Sequence, residues 1–411
     1  MKFLLCLFFL VIFSKDLTIV GITKYNDGLG RISLGIAEYI SKDLSINIIN
    51  TKDWFVALDE EEINHKVLDI LKENDFSLGK TIFFTELITT LNYLEKIKES
   101  PEFKSKLRIV LSMFETTKLP SFWVKTINDN FDIVVVPDNF LVNVYKESGI
   151  NIPIFVLPIG LYLDEFKTNT KKTYSEKFVF GCLSRFQSRK NQIMLLEAFA
   201  REFSNNSNVI LKLHGRFENQ DKEIISYIKK NNLKNVEITS GNLSWDEYIN
   251  LMCSIDCYIN ISKGEGYSIT PRESLAAGIP TIITNNTAQI NLVNSQYYYS
   301  IDCPIIELAD YCDLFSSNEY VGYWWNCKIN DVCRAIKDIY FNYDFYKIKA
   351  LEGSLWVRKF SWNNMIKYYE QLFRPLSCEL GDDNLIMSDK LITNSYNLYK
   401  KINEIIANEK I

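Results

Sequence analysis

The sequence predicts an α/β protein built from two doubly wound domains, and three observations support this prediction. Short apolar segments typical of strands alternate with segments typical of helices from residue 17 onward. A polar stretch at about residues 160–177 interrupts this alternation, which then begins again. The chain also has 411 residues, which is more than one ordinary hydrophobic core accommodates.

The first half contains six segments that we expect to be strands of one parallel sheet. They lie at residues 17–22, 46–50, 81–87, 107–114, 131–137 and 153–158. The segment RISLGIAEYISKDL at 31–44, between the first two strands, has the pattern of a helix. Strands separated by helices in this way are typical of a parallel sheet with helices on both faces.

The second half repeats this organisation, although the two halves share no repeated sequence. Its expected strands lie at 178–184, 209–215, 236–241, 257–262 and 280–284, and its expected helices include 190–203, 244–254 and 271–278. A further helix is predicted at 363–373, where Trp362, Ile366, Tyr369 and Phe373 recur at helical spacing.

The composition indicates a folded protein that does not bind nucleic acid. Hydrophobic residues make up 47% and charged residues 24% of the chain, and the formal net charge is -5. This charge provides no general attraction to nucleic acid, and no zinc-knuckle or RNA-binding motif is present. The nine cysteines are an odd number, so we expect a reducing compartment. Cys253 and Cys257 have no matching second pair, which favours packing over a metal site.

The two ends of the chain leave alternatives open. The opening segment MKFLLCLFFLVIF is too short to span a bilayer and resembles the apolar part of a signal peptide, without a clear cleavage site. An export signal, a membrane-touching anchor and a start placed too early all fit residues 1–14. Residues 376–411 fit an amphipathic helix, a partner-binding helix or a poorly ordered end. The basic segment 96–108 is either a solvated face or a peripheral contact with an anionic membrane.

The segment GEGYSITPRESLAAGIP at 264–280 carries the most specific chemical signal. Glu265 and Glu273 stand eight positions apart in it. One interpretation of Glu273 is structural, since Thr270 as N-cap, Pro271 at the first helical position and Glu273 form a capping box. That interpretation leaves Glu265 unexplained. The turn follows a strand of a parallel sheet, where ligands bind and helix amides attract phosphate, and a carboxylate there can accept hydrogen bonds from sugar hydroxyls.

Two cations are expected at the same edge of the second sheet. Arg185 follows the strand at 178–184, and Lys190 opens the next helix. An arginine fork and a lysine charge together neutralise a diphosphate. Arg189, between them, is expected to be part of a solvated basic turn.

The first half offers the segment NDGLGR at 26–31, between its first strand and helix. Gly28 and Gly30 allow close approach of backbone to phosphate, although a simple turn explains them equally well. Ser33 stands where a dinucleotide-binding fingerprint requires a third glycine, so an oxidoreductase is disfavoured. Only two histidines exist, and His214 is expected to be a packed or hydrogen-bonded core residue.

The segments described above resemble the GT-B glycosyltransferases, specifically retaining family 4. That family carries an E-x7-E element and an upstream Arg-x4-Lys, which stand here as Glu265…Glu273 and Arg185…Lys190, and the likeness is strongest over 178–290. The resemblance implies two Rossmann-like domains that face a central cleft. It also implies that Arg185 and Lys190 hold the donor diphosphate, Glu273 the ribose hydroxyls, and Glu265 the transferred sugar. Further donor contacts are implied for Gly28, Gly30, Gly266, Tyr267, Ser268 and Ile269, with Glu115 on the acceptor side.

The resemblance also implies a domain division. Residues 1–14 would be a leader or anchor, 15–165 the acceptor domain, 166–358 the nucleotide-sugar domain, 359–375 a helix that crosses back to the first domain, and 376–411 an extension.

The implied activity is the transfer of a hexose-type sugar from a nucleotide diphosphate to a glycan or lipid-linked acceptor, with retention. We expect no metal and no other cofactor, because no Asp-x-Asp motif lies near the donor residues and helix dipole and cations replace a metal. Glu265, Arg185 and Lys190 would carry the reaction. The histidine that several relatives place in the first half has no recognisable equivalent. The alternatives are a GT-B epimerase or phosphorylase-like enzyme and a non-catalytic sugar-binding relative. We expect a cytoplasmic enzyme of polysaccharide or lipid glycosylation, either free or at the inner face of the membrane.

Overall fold

A computed structural model describes residues 15–379 of the chain, apart from residues 26, 52–64, 73–76, 87, 89–90, 169–176, 217–220 and 312–318. The predictions for residues 1–14 and for 380–411 therefore lie outside the described residues. Within these ranges, no helix combines the length and the apolar character needed to cross a bilayer.

The first half forms a six-stranded parallel sheet in the order β2-β1-β3-β4-β5-β6, as the sequence predicts. Its strands are β1 Leu17–Gly21, β2 Ile46–Asn50, β3 Thr81–Phe84, β4 Leu107–Leu111, β5 Ile133–Val136 and β6 Ile154–Val156. Its helices are α1 Gly30–Tyr39, α2 His65–Lys72, α3 Asn92–Ile97, α4 Pro101–Lys104, α5 Ser121–Asn130 and α6 Asn139–Ser148. Helix α1 is shorter than the predicted 31–44, because Ile40 leaves the helical conformation and the chain turns back toward β2.

The second half forms another six-stranded parallel sheet, in the order β12-β11-β10-β7-β8-β9. Its strands are β7 Phe178–Leu183, β8 Val209–Gly215, β9 Val236–Ser240, β10 Cys257–Asn260, β11 Thr281–Asn285 and β12 Tyr299–Asp302. Its helices are α7 Gln192–Phe203, α8 Lys222–Lys230, α9 Trp245–Cys253, α10 Ile269–Ala276, α11 Ile290–Val293, α12 Ile329–Phe341 and α13 Tyr343–Val357. The α/β prediction is therefore confirmed, with β12 as a strand that the sequence did not reveal.

A hairpin that the sequence did not predict connects the second half to the first. Strands β13 (Ile305–Leu308) and β14 (Tyr323–Asn326) pair antiparallel, with Ile305 opposite Asn326. Tyr311, Val321 and Trp324, from the connection and β14, are buried in the hydrophobic core of the first half. The hairpin thus holds the two halves together on one side of the molecule.

Helix α14 (Trp362–Glu379) holds the halves together on another side, where it packs on α1 and β3 of the first half. The Trp362 ring lies so close to Gly35 and Gly160 that a Cβ atom there would come within 1.9 and 2.3 Å of it. The Tyr369 hydroxyl donates to the Pro158 carbonyl oxygen at 3.2 Å. Both glycines belong to the first half. Close packing of the Trp362 ring therefore holds the helix there, in addition to the hydrogen bond of Tyr369.

Candidate active site in the cleft between the halves

A cleft opens at the carboxyl ends of β7, β8 and β9, opposite the beginning of α1. Ligands of open parallel sheets bind at this edge, because helix N-termini and loops converge there. Three arginines and three large aromatic side chains contribute to the lining: Arg31, Arg185, Arg216, Tyr25, Trp245 and Tyr248. The cleft therefore combines positive charge with flat apolar surface, which suits an anionic ligand that contains a ring.

The two predicted cations, Arg185 and Lys190, occupy different positions at this edge. Arg185 lines the cleft, two residues after β7 ends. A short 3-10 turn, Ser188–Lys190, then leads into α7. The turn directs the Lys190 ammonium to the Glu265 carboxylate, with which it forms an ion pair. Lys190 and Glu265 are thus in direct contact, and Arg185 faces the neighbouring open space.

Glu265 is a buried carboxylate with two cationic neighbours. Only 6% of the residue is exposed, and Arg189 Nη1 lies 3.3 Å from its Oε2. Burial alone would raise the pKa of Glu265, but Lys190 and Arg189 outweigh that effect and lower the pKa to about 2. The carboxylate is therefore ionised at neutral pH, so it can accept hydrogen bonds and cannot donate a proton.

Arg189 is not part of a solvated turn, and that expectation was wrong. Its side chain is only 12% exposed and pairs with Glu115 at 3.0 Å, in addition to Glu265. It also donates to the Gly264 carbonyl oxygen at 2.9 Å. The 3-10 turn points Arg189 inward, where it bridges carboxylates from both halves. Sequence spacing alone does not reveal such a turn.

Glu115, the predicted acceptor-side residue, belongs to this same network. One of its oxygens accepts from Arg189, and the other accepts from the Tyr311 hydroxyl at 2.6 Å. The loop that carries Glu115 presses against the Glu265 loop: a Cβ atom on Gly264 would lie 2.1 Å from the Glu115 carbonyl oxygen. Gly266 is less crowded than Gly264, because a Cβ atom added there would lie 3.1 Å from Met113 Cβ. Glycine at 264 is thus what permits the two loops to touch.

The capping box predicted for Glu273 does not form. Helix α10 begins at Ile269 instead of after Thr270, and its N-cap is Ser268, whose left-handed φ of 64° lets the chain enter the helix without a side-chain cap. Glu273 therefore lies in the second turn. Its carboxylate accepts from the Tyr248 hydroxyl at 2.5 Å and pairs with Arg31 at 2.9 Å.

The backbone before α10 is held in place by its neighbours. The Tyr267 hydroxyl donates to the Ile159 carbonyl oxygen of the first half at 2.8 Å. Arg272 is buried and donates to the carbonyl oxygens of Tyr267 and Ser268, the latter at 2.9 Å. The Ser268 hydroxyl oxygen is buried and has no hydrogen-bond partner in the described structure. The amides at the beginning of α10 are therefore preorganised next to Glu265.

The loop after β1 faces this helix across the cleft. Asp27 caps α1 by accepting from the amides of Leu29 at 2.7 Å and Gly30 at 3.1 Å, and it pairs with Arg216 of the second half. A Cβ atom on Gly28 would lie 3.5 Å from the Ile269 side chain, whereas one on Gly30 would lie 2.4 Å from the Lys24 carbonyl oxygen. Gly28 thus faces the predicted donor region, and Gly30 is required by the packing of its own loop.

Stacked aromatic rings form one wall of the cleft. The Trp245 ring stacks on Tyr248 with centroids 5.5 Å apart, and Tyr25 of the first half stacks on Trp245 at 6.4 Å. The Arg31 guanidinium lies 4.7 Å from the Trp245 ring centroid. His214, expected in the core, is buried and its Nδ1 lies 2.9 Å from Thr239 Oγ1, but it also lines the cleft.

Sequence reasoning missed Arg31, Asp27, Arg216, Trp245 and Tyr248. Arg216 directly follows β8, as Arg185 follows β7, so position at the carboxyl end of a strand was an available signal for it. The other four residues become recognisable only when the two halves face each other. Among the residues whose positions are described, no group of three or more His, Cys, Asp or Glu side chains is arranged to bind a metal ion.

Comparisons with known proteins agree with this geometry. A family model described as "Glycosyl transferases group 1" matches residues 164–321. The structure resembles sucrose-phosphate synthase from Thermosynechococcus elongatus, with a TM-score of 0.64 and 13% sequence identity over 88% of this chain and 99% of that one. A glycosyltransferase from Rickettsia africae gives a TM-score of 0.61 and 17% identity over 88% of this chain and 98% of that one.

Two further relatives extend the comparison. Anabaena HepE, solved in complex with UDP-glucose, gives a TM-score of 0.62 and 12% identity over 87% of this chain and 99% of that one. Among curated proteins, Uncharacterized protein 356 of Sulfolobus islandicus rod-shaped virus 1 is 19% identical over 273 residues, which is 64% of this chain and 75% of that protein. The structural likenesses confirm the predicted GT-B fold. The chain therefore has the GT-B fold, and its residues 164–321 are similar to the glycosyl transferases group 1 family.

Proposed function

We propose that this chain transfers a sugar from a nucleoside diphosphate to a hydroxyl of a glycan or lipid-linked acceptor, with retention and without a metal ion. The observation that carries the proposal is the cleft itself. It gathers Arg185 and Arg216 at the carboxyl ends of neighbouring strands, together with Thr270 at the beginning of α10. The ionised Glu265 lies four residues before this helix begins. Cations and helix amides suit the diphosphate, and an ionised carboxylate suits the hydroxyls of the sugar.

The proposed step breaks the bond between the anomeric carbon and the diphosphate oxygen and forms a bond from that carbon to the acceptor oxygen on the same face. Arg185, Lys190 and the amides of α10 would stabilise the negative charge that develops on the leaving diphosphate. The acceptor proton would pass to a phosphate oxygen of the donor. Glu265 would hold the sugar hydroxyls, since a carboxylate with a pKa of about 2 is a poor proton donor at neutral pH.

Uridine diphosphates are the first donors to test, because Anabaena HepE was solved with UDP-glucose and the pneumococcal transferase GtfA with UDP and GlcNAc. The test is a thermal-shift panel of UDP, GDP, ADP and their sugar derivatives, with and without a chelator. Binding of one nucleoside diphosphate raises the melting temperature by mass action. A shift that the chelator abolishes would contradict metal independence.

Activity is tested with the donor that binds. NMR of the product reports the anomeric configuration, and an inverted product would contradict retention. Incubation with donor alone separates transfer from an epimerase, which would change the donor sugar without any acceptor. Glu265→Gln should reduce transfer about 100-fold or more if Glu265 holds the sugar in the transition state. Unchanged turnover in this variant would favour a site that only binds.

A further inference from the structure

Arg31 connects the first half of the molecule to the carboxylate of Glu273. The guanidinium Nη1 lies 2.9 Å from Glu273 Oε1, and the side chains are only 14% and 2% exposed. Arg31 lies in the first turn of α1 and also lines the cleft. Its guanidinium lies over the rings of Trp245 and Tyr248, at 4.7 and 5.7 Å from their centroids. The cation therefore occupies the place between the aromatic wall and Glu273.

This position of Arg31 conflicts with the role that the family resemblance implies for Glu273, which is to hold the ribose hydroxyls of the donor. Its Oε1 is paired with Arg31, and its Oε2 accepts from the Tyr248 hydroxyl. Ribose hydroxyls that approach Glu273 must therefore share or replace the Arg31 contact. A guanidinium that gives up its carboxylate in a largely buried cleft needs another anion, because an unpaired buried charge is costly.

The donor would bring such an anion within reach of Arg31. A Cβ atom on Gly28 would lie 3.5 Å from the Ile269 side chain, so the beginning of α1 faces the beginning of α10. Glu273 lies four residues after Ile269, which corresponds to about 6 Å along the helix axis. A rotation of the arginine side chain covers such a distance. The Glu165 carboxylate also lies near Arg31, but it accepts a hydrogen bond from Trp245 Nε1. The diphosphate proposed at the beginning of α10 is thus an alternative anion within reach of Arg31.

We propose that Arg31 is a positioning residue that exchanges partners when the donor binds. It leaves Glu273, which then accepts the ribose hydroxyls, and pairs with the donor diphosphate. This inference rests on the proposed function, because it assumes a nucleoside diphosphate ligand. A nucleoside without phosphates would find Glu273 still paired with Arg31, because it has no anion with which Arg31 could pair instead.

The test compares UDP with uridine on the wild type and on Arg31→Gln, by calorimetry for UDP and NMR titration for uridine. We expect Arg31→Gln to weaken UDP binding about 10- to 100-fold, through loss of a charge-assisted phosphate contact. The same substitution should tighten uridine binding several-fold, because Glu273 becomes accessible. Effects of opposite sign support the exchange. Equal weakening of both ligands, or no change in either, overturns it.

Two further variants act as controls. Arg31→Lys keeps the charge but loses the planar fork, so UDP binding should fall less than in Arg31→Gln, and this variant also replaces it if Arg31→Gln does not fold. Arg201→Gln removes an exposed arginine paired with Glu197 and should change neither affinity. If the wild type binds no nucleoside diphosphate at all, the proposed function fails together with this inference. If it binds UDP without the opposite effects, only the role of Arg31 fails.

Discussion

The surroundings of Glu265 and Glu273 differ, although both carboxylates belong to one segment and both are buried and ion-paired. Glu265 pairs with Lys190 and Arg189, which come from its own half of the molecule. Glu273 pairs with Arg31, which comes from the other half. The network around Glu265 continues to Glu115, so that two acids and two cations balance one another.

This difference separates a fixed part of the site from an exchangeable one. Removal of any member of the Glu265 network leaves an excess charge in a buried place, and such changes are costly. The Glu273 pair involves one cation, and the Tyr248 hydroxyl remains as a partner when that cation leaves. We therefore expect the network of Glu265, Arg189, Lys190 and Glu115 to hold the two halves together. The pair of Glu273 and Arg31 should respond to the ligand.

The largest expected effect is that of Arg189→Ala. The substitution leaves Glu115 and Glu265 near each other with Lys190 as the remaining cation of the network. Breaking such a buried network should lower the free energy of unfolding by about 3–5 kcal/mol, measured by urea denaturation. Arg31→Gln should cost less, about 1–3 kcal/mol, because Glu273 keeps Tyr248.

Arg201→Ala is the matched control, since Arg201 and its partner Glu197 are 46% and 42% exposed. It should change the free energy of unfolding by no more than about 0.5 kcal/mol. If Arg31→Gln destabilises the protein as strongly as Arg189→Ala, the contrast between the two carboxylates is wrong.

The free energy of unfolding is expected to depend on pH through Asp138, which makes a further contact between the two halves. Asp138 accepts from Asn291 of the second half at 2.8 and 3.0 Å. Asn291 lies two residues after the turn 287–289, whose Thr287 hydroxyl accepts from the Glu265 amide. Burial raises the pKa of Asp138 from 3.8 to about 6, although Asn291, the Phe140 amide and Arg272 oppose it. Because the folded-state pKa is raised, its contribution is present below about pH 4 and is lost as the pH rises through 6.

Asp138→Asn removes this titration and keeps an oxygen that accepts a hydrogen bond. Relative to the wild type, the variant should therefore gain stability between about pH 4 and pH 7, by up to about 3 kcal/mol. Urea denaturation at several pH values measures the difference. Asp129→Asn, at an exposed ion pair with Lys125, serves as the control for the loss of a carboxylate charge. A constant difference between Asp138→Asn and the wild type would contradict the raised pKa.

The loop at Gly264, next to Glu265, should tolerate an added methyl group less well than the loop at Gly28. Gly264→Ala places a Cβ atom 2.1 Å from the Glu115 carbonyl oxygen, so one of the two backbones must move. We expect a loss of about 1–3 kcal/mol in the free energy of unfolding. Gly28→Ala meets only an ordinary contact with Ile269 at 3.5 Å and should cost less than about 0.5 kcal/mol. Similar melting temperatures for the two variants would show that the loop at Gly264 is not packed more tightly than the loop at Gly28.

Asp27→Asn tests the loop of the first half that faces α10. Asparagine still accepts hydrogen bonds from the amides of Leu29 and Gly30, so the cap of α1 survives while the ion pair with Arg216 is lost. Both side chains are largely buried, so salt screens this pair only weakly. The free energy of unfolding should fall by about 1–3 kcal/mol, to a similar extent in low salt and in 0.5 M salt. A loss that disappears in 0.5 M salt would contradict a buried ion pair.

Sequence reasoning succeeded where a residue's place follows from a local pattern. Lys190 and Glu265 follow recognisable strands and turns of one parallel sheet, so their contact at its edge was predictable, and Arg185 lines the cleft after β7. It failed where a short turn or a distant contact decided the outcome. The 3-10 turn at 188–190 reversed the expectation for Arg189, and the beginning of α10 at Ile269 removed the capping box predicted at Thr270. The hairpin of β13 and β14 was also missed; its strands pair only with each other, outside the two parallel sheets.

The sequence by itself determined the alternation of strands and helices, the two parallel sheets, and the positions of the second half's charged residues at a sheet edge. These features depend on apolar periodicity and on the rule that parallel strands end at the same edge. Only the tertiary structure decided which cation each carboxylate meets. Arg31 and Glu273 are separated by 242 positions in the chain. Their contact depends on how the two halves face each other, and side-chain packing between α14, the hairpin and the first sheet sets that arrangement.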